Sequence, residues 1–283
     1  MGSHRVFRSF WWATNALLAL SLLATLYTGI WEHSVRQYLN GFSDAIIPEA
    51  STPRQKAEGI LTWMRFGPPR LEAVDTSALS AHDPTDTLNY RQLLEVCGSA
   101  TNAFLNLSRS SGLEARRLLL LSPDHTAKHV VAEVRIDGRW VIVDATYRAF
   151  MKDAQGRLLT RTDLQDPRIF QEASSLIPGY ITAFSYESVA HVRVGALPFL
   201  GANLRRALDA VFPGWDESMD WSLLLERRSF AYFFLSVWAL IFFLLLRFVL
   251  AWLADHRLRI TRLRLRASLT RATATFFSTP EMK

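Results

Sequence analysis

A single cysteine, Cys97, stands among 283 residues, so the chain cannot close a disulfide on itself. Cys-rich zinc modules and cysteine-ligated iron–sulfur clusters are excluded on the same ground. Glycine and proline are scarce at 13 and 11 residues, which excludes collagen-like and low-complexity sequence. Neither sign of charge dominates: 32 Lys and Arg against 26 Asp and Glu leave a net charge of +6. With 49% hydrophobic and 12% aromatic residues, that balance also excludes a disordered chain. Apolar sequence is abundant, and much of it is segregated into two runs.

The first run, Ser9 to Trp31, contains no charged residue. At 1.5 Å per helical residue it reaches roughly 35 Å, enough to cross a hydrocarbon core of about 30 Å. Arg5 and Arg8 precede it, and Trp11, Trp12 and Trp31 lie near its ends, as interfacial residues do. A cleaved leader has an apolar region of about 7–15 residues and then a small-residue cleavage site. This run is longer and no such site follows it, so an uncleaved anchor is expected. The second run, Phe230 to Ala254, is broken only by Arg247, whose long stem can carry its charge to the interface. Arg257, Arg259, Arg262, Arg264, Arg266 and Arg271 follow, opposed only by Asp255 and Glu281. Such a basic tail directly after a span fits the cytoplasmic side and an anionic lipid surface. No groove-reading or aromatic-interleaved motif accompanies it, so nucleic acid is not an expected partner. The chain therefore divides into a cytoplasmic tip and first span (1–31), a connecting segment continuing that helix (32–51), a domain outside the inner membrane (52–229), a second span (230–254) and a basic cytoplasmic tail (255–283).

Within the middle segment, Thr52-Pro53-Arg54-Gln55 reads as a capping box with proline at the first helical position. Ala57, Ile60, Leu61 and Met64 form the buried stripe, and Gly67-Pro68-Pro69 stops the helix. Residues 70–89 read as loop. A second helix is expected in the stretch from Glu95, with Cys97 at its N-terminal edge; it buries Ala100, Phe104 and Leu107 and stops at Gly112. Strands are expected at 116–121, 129–136 and 139–144, the last two joined by Asp137-Gly138, a strong hairpin signal.

The motifs Cys97 at a helix start, Gly112-Leu113-Glu114-Ala115-Arg116, His129-Val130-Val131-Ala132-Glu133-Val134 and Gly138-Arg139-Trp140-Val141-Ile142-Val143-Asp144 resemble the transglutaminase-like cysteine enzymes, a branch of the papain-like fold. Together they cover roughly residues 52–150. One departure is Asp144-Ala145-Thr146, where the family commonly has Asp-Pro-Thr. The resemblance implies an α+β fold in which a Cys-bearing helix packs on an antiparallel sheet, here flanked by two transmembrane helices. It also implies a catalytic set of Cys97, His129 and Asp144.

Elementary chemistry points the same way. A helix N-terminus and a neighbouring imidazolium turn a weak thiol into a thiolate nucleophile. With the turn centred on Asp137-Gly138, cross-strand neighbours add to about 275, which brings His129 and Asp144 within a register step of each other. A carboxylate there can hold the imidazole's tautomer. The Cys97 N–H is one oxyanion donor, with Gln92 or Tyr90 as the second. His125 and His129 have metal-pair spacing but lack a further ligand, so neither metal nor cofactor is expected.

Two functions stay open. One is a periplasmic thiol-dependent hydrolase or acyl transferase acting on an amide or ester bond of an envelope peptide or polymer. The other is a non-catalytic accessory subunit of an inner-membrane polysaccharide synthesis or export complex, partnering a synthase. Both place the protein in a bacterial inner membrane. Protease added to intact spheroplasts should digest the middle segment and spare a C-terminal tag; the reverse pattern would overturn this topology.

Overall fold

The computed structural model describes residues 2–48, 51–122, 126–192, 206–208, 210–215 and 222–258. His125, Trp221, Arg259, Arg262, Arg264, Arg266, Arg271 and part of the 203–211 stretch lie outside them. The helices are α1 (Gly2–Ile46), α2 (Pro53–Phe66), α3 (Pro84–Asn89), α4 (Arg91–Leu94), α5 (Cys97–Ser110), α6 (Pro167–Ser175), α7 (Ser222–Glu226) and α8 (Arg228–Leu253). Strands β1 (Ala115–Leu121), β2 (Ala127–Ile136), β3 (Arg139–Asp144), β4 (Ala149–Phe150) and β5 (Val189–Ala190) form one antiparallel sheet in the order β4-β3-β2-β1-β5.

Local chemistry sets these elements. Thr52 accepts the Gln55 N–H, and the Gln55 side chain accepts the Thr52 N–H, with Pro53 in the first turn of α2. At the other end of α2 only glycine fits, because a Cβ on Gly67 would lie 2.5 Å from the Trp63 carbonyl oxygen. The β2–β3 turn puts Asp137 at φ 50° and Gly138 at φ 78°, the left-handed pair of a tight hairpin. Pairing of Ala132 with Val143 and Val134 with Val141 reproduces the register read from the sequence. The 70–89 stretch differs from its loop reading. Asp83 accepts the Thr85 N–H and Pro84 opens α3, a short start signal with no apolar periodicity behind it.

The chain separates into two compact units. In the unit from Thr28 to Tyr232, α5 is buried along nearly its whole length between the sheet and helix α2. Ala100, Phe104 and Leu107 pack with Ala57, Ile60 and Met64 and with the sheet face of Ala132, Val134, Val141 and Val143. Two polar side chains of α5 bond across this interior: Thr101 Oγ1 donates to the Val130 carbonyl at 3.0 Å, and Asn102 Nδ2 to the Ala81 carbonyl at 2.8 Å. The opposite sheet face, Leu118, Leu120, Val131 and Ile142, packs on Phe170 and Ala173 of α6. Residues 32–51 do more than connect. Val35, Leu39 and Ile47 enter the core, and Phe42 meets the Trp63 ring edge-on at 4.9 Å. Beside them the buried Glu32 carboxylate receives Arg36 and Arg227 at 2.7 Å each and the Ser229 hydroxyl at 2.8 Å.

The other unit holds α1 up to Tyr27 and α8 from Phe233. Both parent helices, Arg5–Ile46 and Arg228–Arg257, are long and apolar enough to cross a membrane, with mean hydropathy 1.5 and 2.5 over an 18-residue stretch of each. Large apolar side chains such as Trp12, Leu23, Phe242 and Phe248 are exposed on them. Arg247 lies over the Trp11 ring at 3.8 Å, so its charge is held by an aromatic face.

Phe104 is fully buried where α5 meets the sheet. Phe104→Ala should destabilise the domain by about 3–5 kcal/mol, read as a lower denaturation midpoint of the solubilised protein. An unchanged midpoint would refute α5 as the centre of the core.

Candidate functional site

Cys97 is the first residue of α5, because Val96 before it is extended (φ −97°, ψ 128°) and the Ser99 hydroxyl binds the Leu93 and Val96 carbonyls. N–H groups in a first helical turn have no intrahelical acceptor, so the thiol sits at a locus of partial positive charge. Unlike the helix behind it, Cys97 is partly exposed. Strand β2 delivers His129 near its start, where the β1 pairing slips between Leu120 and Leu121. Asp144 ends β3 on the same sheet face.

His129 Nε2 and the Asp144 Oδ2 lie 2.7 Å apart, and both side chains are buried. Asp144 is held from every side. The Tyr180 hydroxyl donates to Oδ2 at 3.1 Å, while the Thr146 and Tyr147 N–H groups donate to Oδ1 at 3.1 and 3.4 Å. Phe184 stacks flat on the imidazole, centroids 4.1 Å apart at an angle of 3°. Since Nε2 is committed to Asp144, Nδ1 is the nitrogen left to face Cys97, and the thiol and the ring interact electrostatically.

The electrostatics follow from these contacts. His129's bond holds the Cys97 thiol below its ordinary value against the opposing effect of burial, and the Val130 and Gly98 N–H groups add to the lowering. Burial pulls His129 down, but the bond and charge of Asp144, with Cys97, overcome it and raise the imidazole to about 9. Tyr180 is raised by burial and by the Tyr186 and Asp144 charges, so it stays a neutral donor. Lowering the thiol and raising the imidazole both favour a thiolate–imidazolium pair over the neutral pair.

The structure thus brings Cys97, His129 and Asp144 together. Gln92 points its carboxamide at Ala73, donating Nε2 to the carbonyl at 3.2 Å and accepting the N–H at 3.4 Å. Tyr90 lies between α3 and α4 and bridges to Leu71. Arg257 is exposed beyond α8. Tyr180 and Phe184, which the sequence reading did not single out, complete the surroundings of the imidazole. They arrive from the loops after α6, and no periodicity or spacing ties them to His129. A second buried cluster lies further along β2, where the Glu133 Oε2 takes Arg116 Nε at 2.7 Å and His191 Nε2 at 2.8 Å. Arg116 also covers the Trp140 ring at 4.3 Å, which gives that motif arginine a structural part.

Asp144→Asn keeps the Oδ1 acceptor and removes the charge. With burial left to act against it, His129 should titrate well below 9, followed by the NMR shifts of its ring protons. The sign for stability follows. The raised folded-state value contributes stability in full below the ordinary 6.5, and that contribution is lost as pH rises through about 9. An unmoved His129 titration in the variant would refute this electrostatic assignment.

The transglutaminase-like superfamily model matches residues 40–145. No curated protein and no solved structure matches the chain. Residues 40–145, the segment that supplies the thiol, the imidazole and the carboxylate, form a transglutaminase-like superfamily domain.

Proposed function

We propose that this domain catalyses thiol-dependent acyl transfer, cleaving an amide or ester bond and passing the acyl group to water or an amine. The observation that carries the reading is the buried His129–Asp144 bond of 2.7 Å, with the ring's other nitrogen left for a thiol at a helix N-terminus.

In this mechanism the Cys97 thiolate attacks the carbonyl carbon, and the carbonyl pair moves onto oxygen. The first-turn N–H of Cys97 stabilises that oxyanion, and the second proton of the Gln92 amide, beyond its bond to Ala73, or the Tyr90 hydroxyl is the second donor. The His129 imidazolium gives its proton to the departing amine or alkoxide, leaving a thioester. Neutral His129 then takes a proton from water or an acceptor amine, whose oxygen or nitrogen attacks the thioester and releases the thiolate. Asp144 does not take up the proton; it fixes the ring's orientation and stabilises its charge.

The two apolar helices and the arginine-rich tail support placing the domain on the periplasmic side of a bacterial inner membrane, both termini cytoplasmic, with an envelope peptide or polymer as substrate. The exposed apolar faces of α1 and α8 offer surface to lipid and to a second membrane protein such as a polysaccharide synthase.

Alkylation of the solubilised protein by iodoacetamide tests the chemistry. Cys97 should react near pH 6–7 much faster than a free thiol, with a rate that levels off through neutrality. His129→Ala should remove that advantage by roughly 10–100-fold and shift the profile to higher pH. Slow labelling indifferent to His129 would sink the catalytic reading and leave the accessory-subunit function.

A further inference from the structure

On the sheet face opposite His129, β1 carries a second cation toward the nucleophile. Arg117 pairs in register with Ala132, whose face packs on α5. Its guanidinium lies across the first turn of that helix: a Cβ built on Gly98, the residue after Cys97, would sit 3.6 Å from Arg117 Nη2. The absent Gly98 side chain keeps the space between the guanidinium and the nucleophile's turn open.

This cation has little to hold it. Arg117 Nε is buried without a hydrogen-bond partner among the described residues. Among the described residues the acid whose charge acts on it is Glu226 of α7, a fully buried carboxylate that is also bonded to Arg109. Of the two guanidiniums near Glu226, Arg117 is the one on which the Cys97 charge acts. Burial pulls Arg117 below its ordinary value, with the Glu226 and Cys97 charges opposing that pull. An under-paired, partly buried cation costs stability, and an arrangement that keeps one beside a nucleophile suits a ligand that brings the counter-charge. A planar guanidinium matches a carboxylate, which it can grip with two parallel N–H bonds.

Resting on the acyl-transfer reading, we infer that Arg117 is a specificity-determining residue that binds a carboxylate lying a few bonds from the scissile carbonyl. The substrate class is then an acidic acyl compound, such as a peptide unit whose own carboxylate flanks the bond to be cleaved. The carboxylate docks on Arg117 across Gly98 while the carbonyl carbon faces the Cys97 sulfur. His129, on the other side of the sulfur, keeps its proton for the leaving group.

Iodoacetate and iodoacetamide make the test, because they differ only in carrying a carboxylate or a neutral amide beside the reacting carbon. In each, the Cys97 thiolate forms the S–C bond and iodide leaves with the C–I electron pair. In the full-length solubilised protein the rate ratio of iodoacetate to iodoacetamide should exceed that of free cysteine by about tenfold, the scale of one charge-assisted contact. Arg117→Gln should abolish most of that excess while the iodoacetamide rate stays within about threefold. Arg117→Lys should restore part of the excess, since it keeps the charge and loses the fork. A ratio unaltered by Arg117→Gln would overturn the proposal, because His129 alone would then account for any anion preference. Loss of both rates in Arg117→Gln and in Arg117→Lys would also overturn it, by making Arg117 a support of the thiolate or the fold. If the wild-type protein labels slowly with both reagents and ignores His129, the acyl-transfer reading falls and this inference with it. Preserved, His129-dependent reactivity with an Arg117-independent ratio removes this inference alone.

Discussion

The bond between His129 and Asp144 joins two groups buried away from water. A carboxylate withdrawn from water needs several donors, and Asp144 has them in two backbone N–H groups, one phenol and one imidazole. An imidazole in the same surroundings would lose its proton, yet the carboxylate raises it to about 9. The rest of the site depends on that inversion. A protonated ring lowers the thiol, and the lowered thiol strengthens the ring's charge in return.

Packing around α5 turns this chemistry into fixed geometry. The helix is buried from Ser99 to Ser108 between the sheet and α2, which holds its first turn in place while Cys97 and Gly98 at its head reach partial exposure. The buried Glu32, Arg227 and Ser229 cluster fastens the parts of α1 and α8 that belong to this unit. Removal of one partner from such a cluster would leave an uncompensated charge, so it defines the arrangement more than it adds stability.

How much was legible in the sequence depended on whether the signal was local. The capping box at Thr52, the buried stripe of α2, the start of α5 at Cys97 and the Asp137-Gly138 turn are each written within a few residues, and each element formed where those residues put it. The neighbourhood of His129 and Asp144 was equally readable, because a two-residue turn leaves only one register. Tyr180, Phe184 and Arg117 were not. The first two come from loops far along the chain. Arg117 sits beside Arg116 in one strand, and only the alternation of strand faces separates the arginine that grips Glu133 from the one that lies over Gly98. The entry of Val35 and Leu39 into the core was hidden for a different reason: an apolar helix destined for lipid and one destined for protein share one composition.

The hairpin register has a consequence for how such a site can vary. Side chains along a strand alternate between faces, so the face to which Asp144 belongs is decided at Asp137 and Gly138, at the far end of β3. Gain or loss of one residue in that turn would carry the carboxylate to the helix side of the sheet and leave the imidazole alone with the aromatic rings, though no residue of the site had changed. Turn length here works as a parity bit. Chains that drift freely in their loops after α6 can keep this chemistry, whereas a chain that drifts by one residue at this turn cannot.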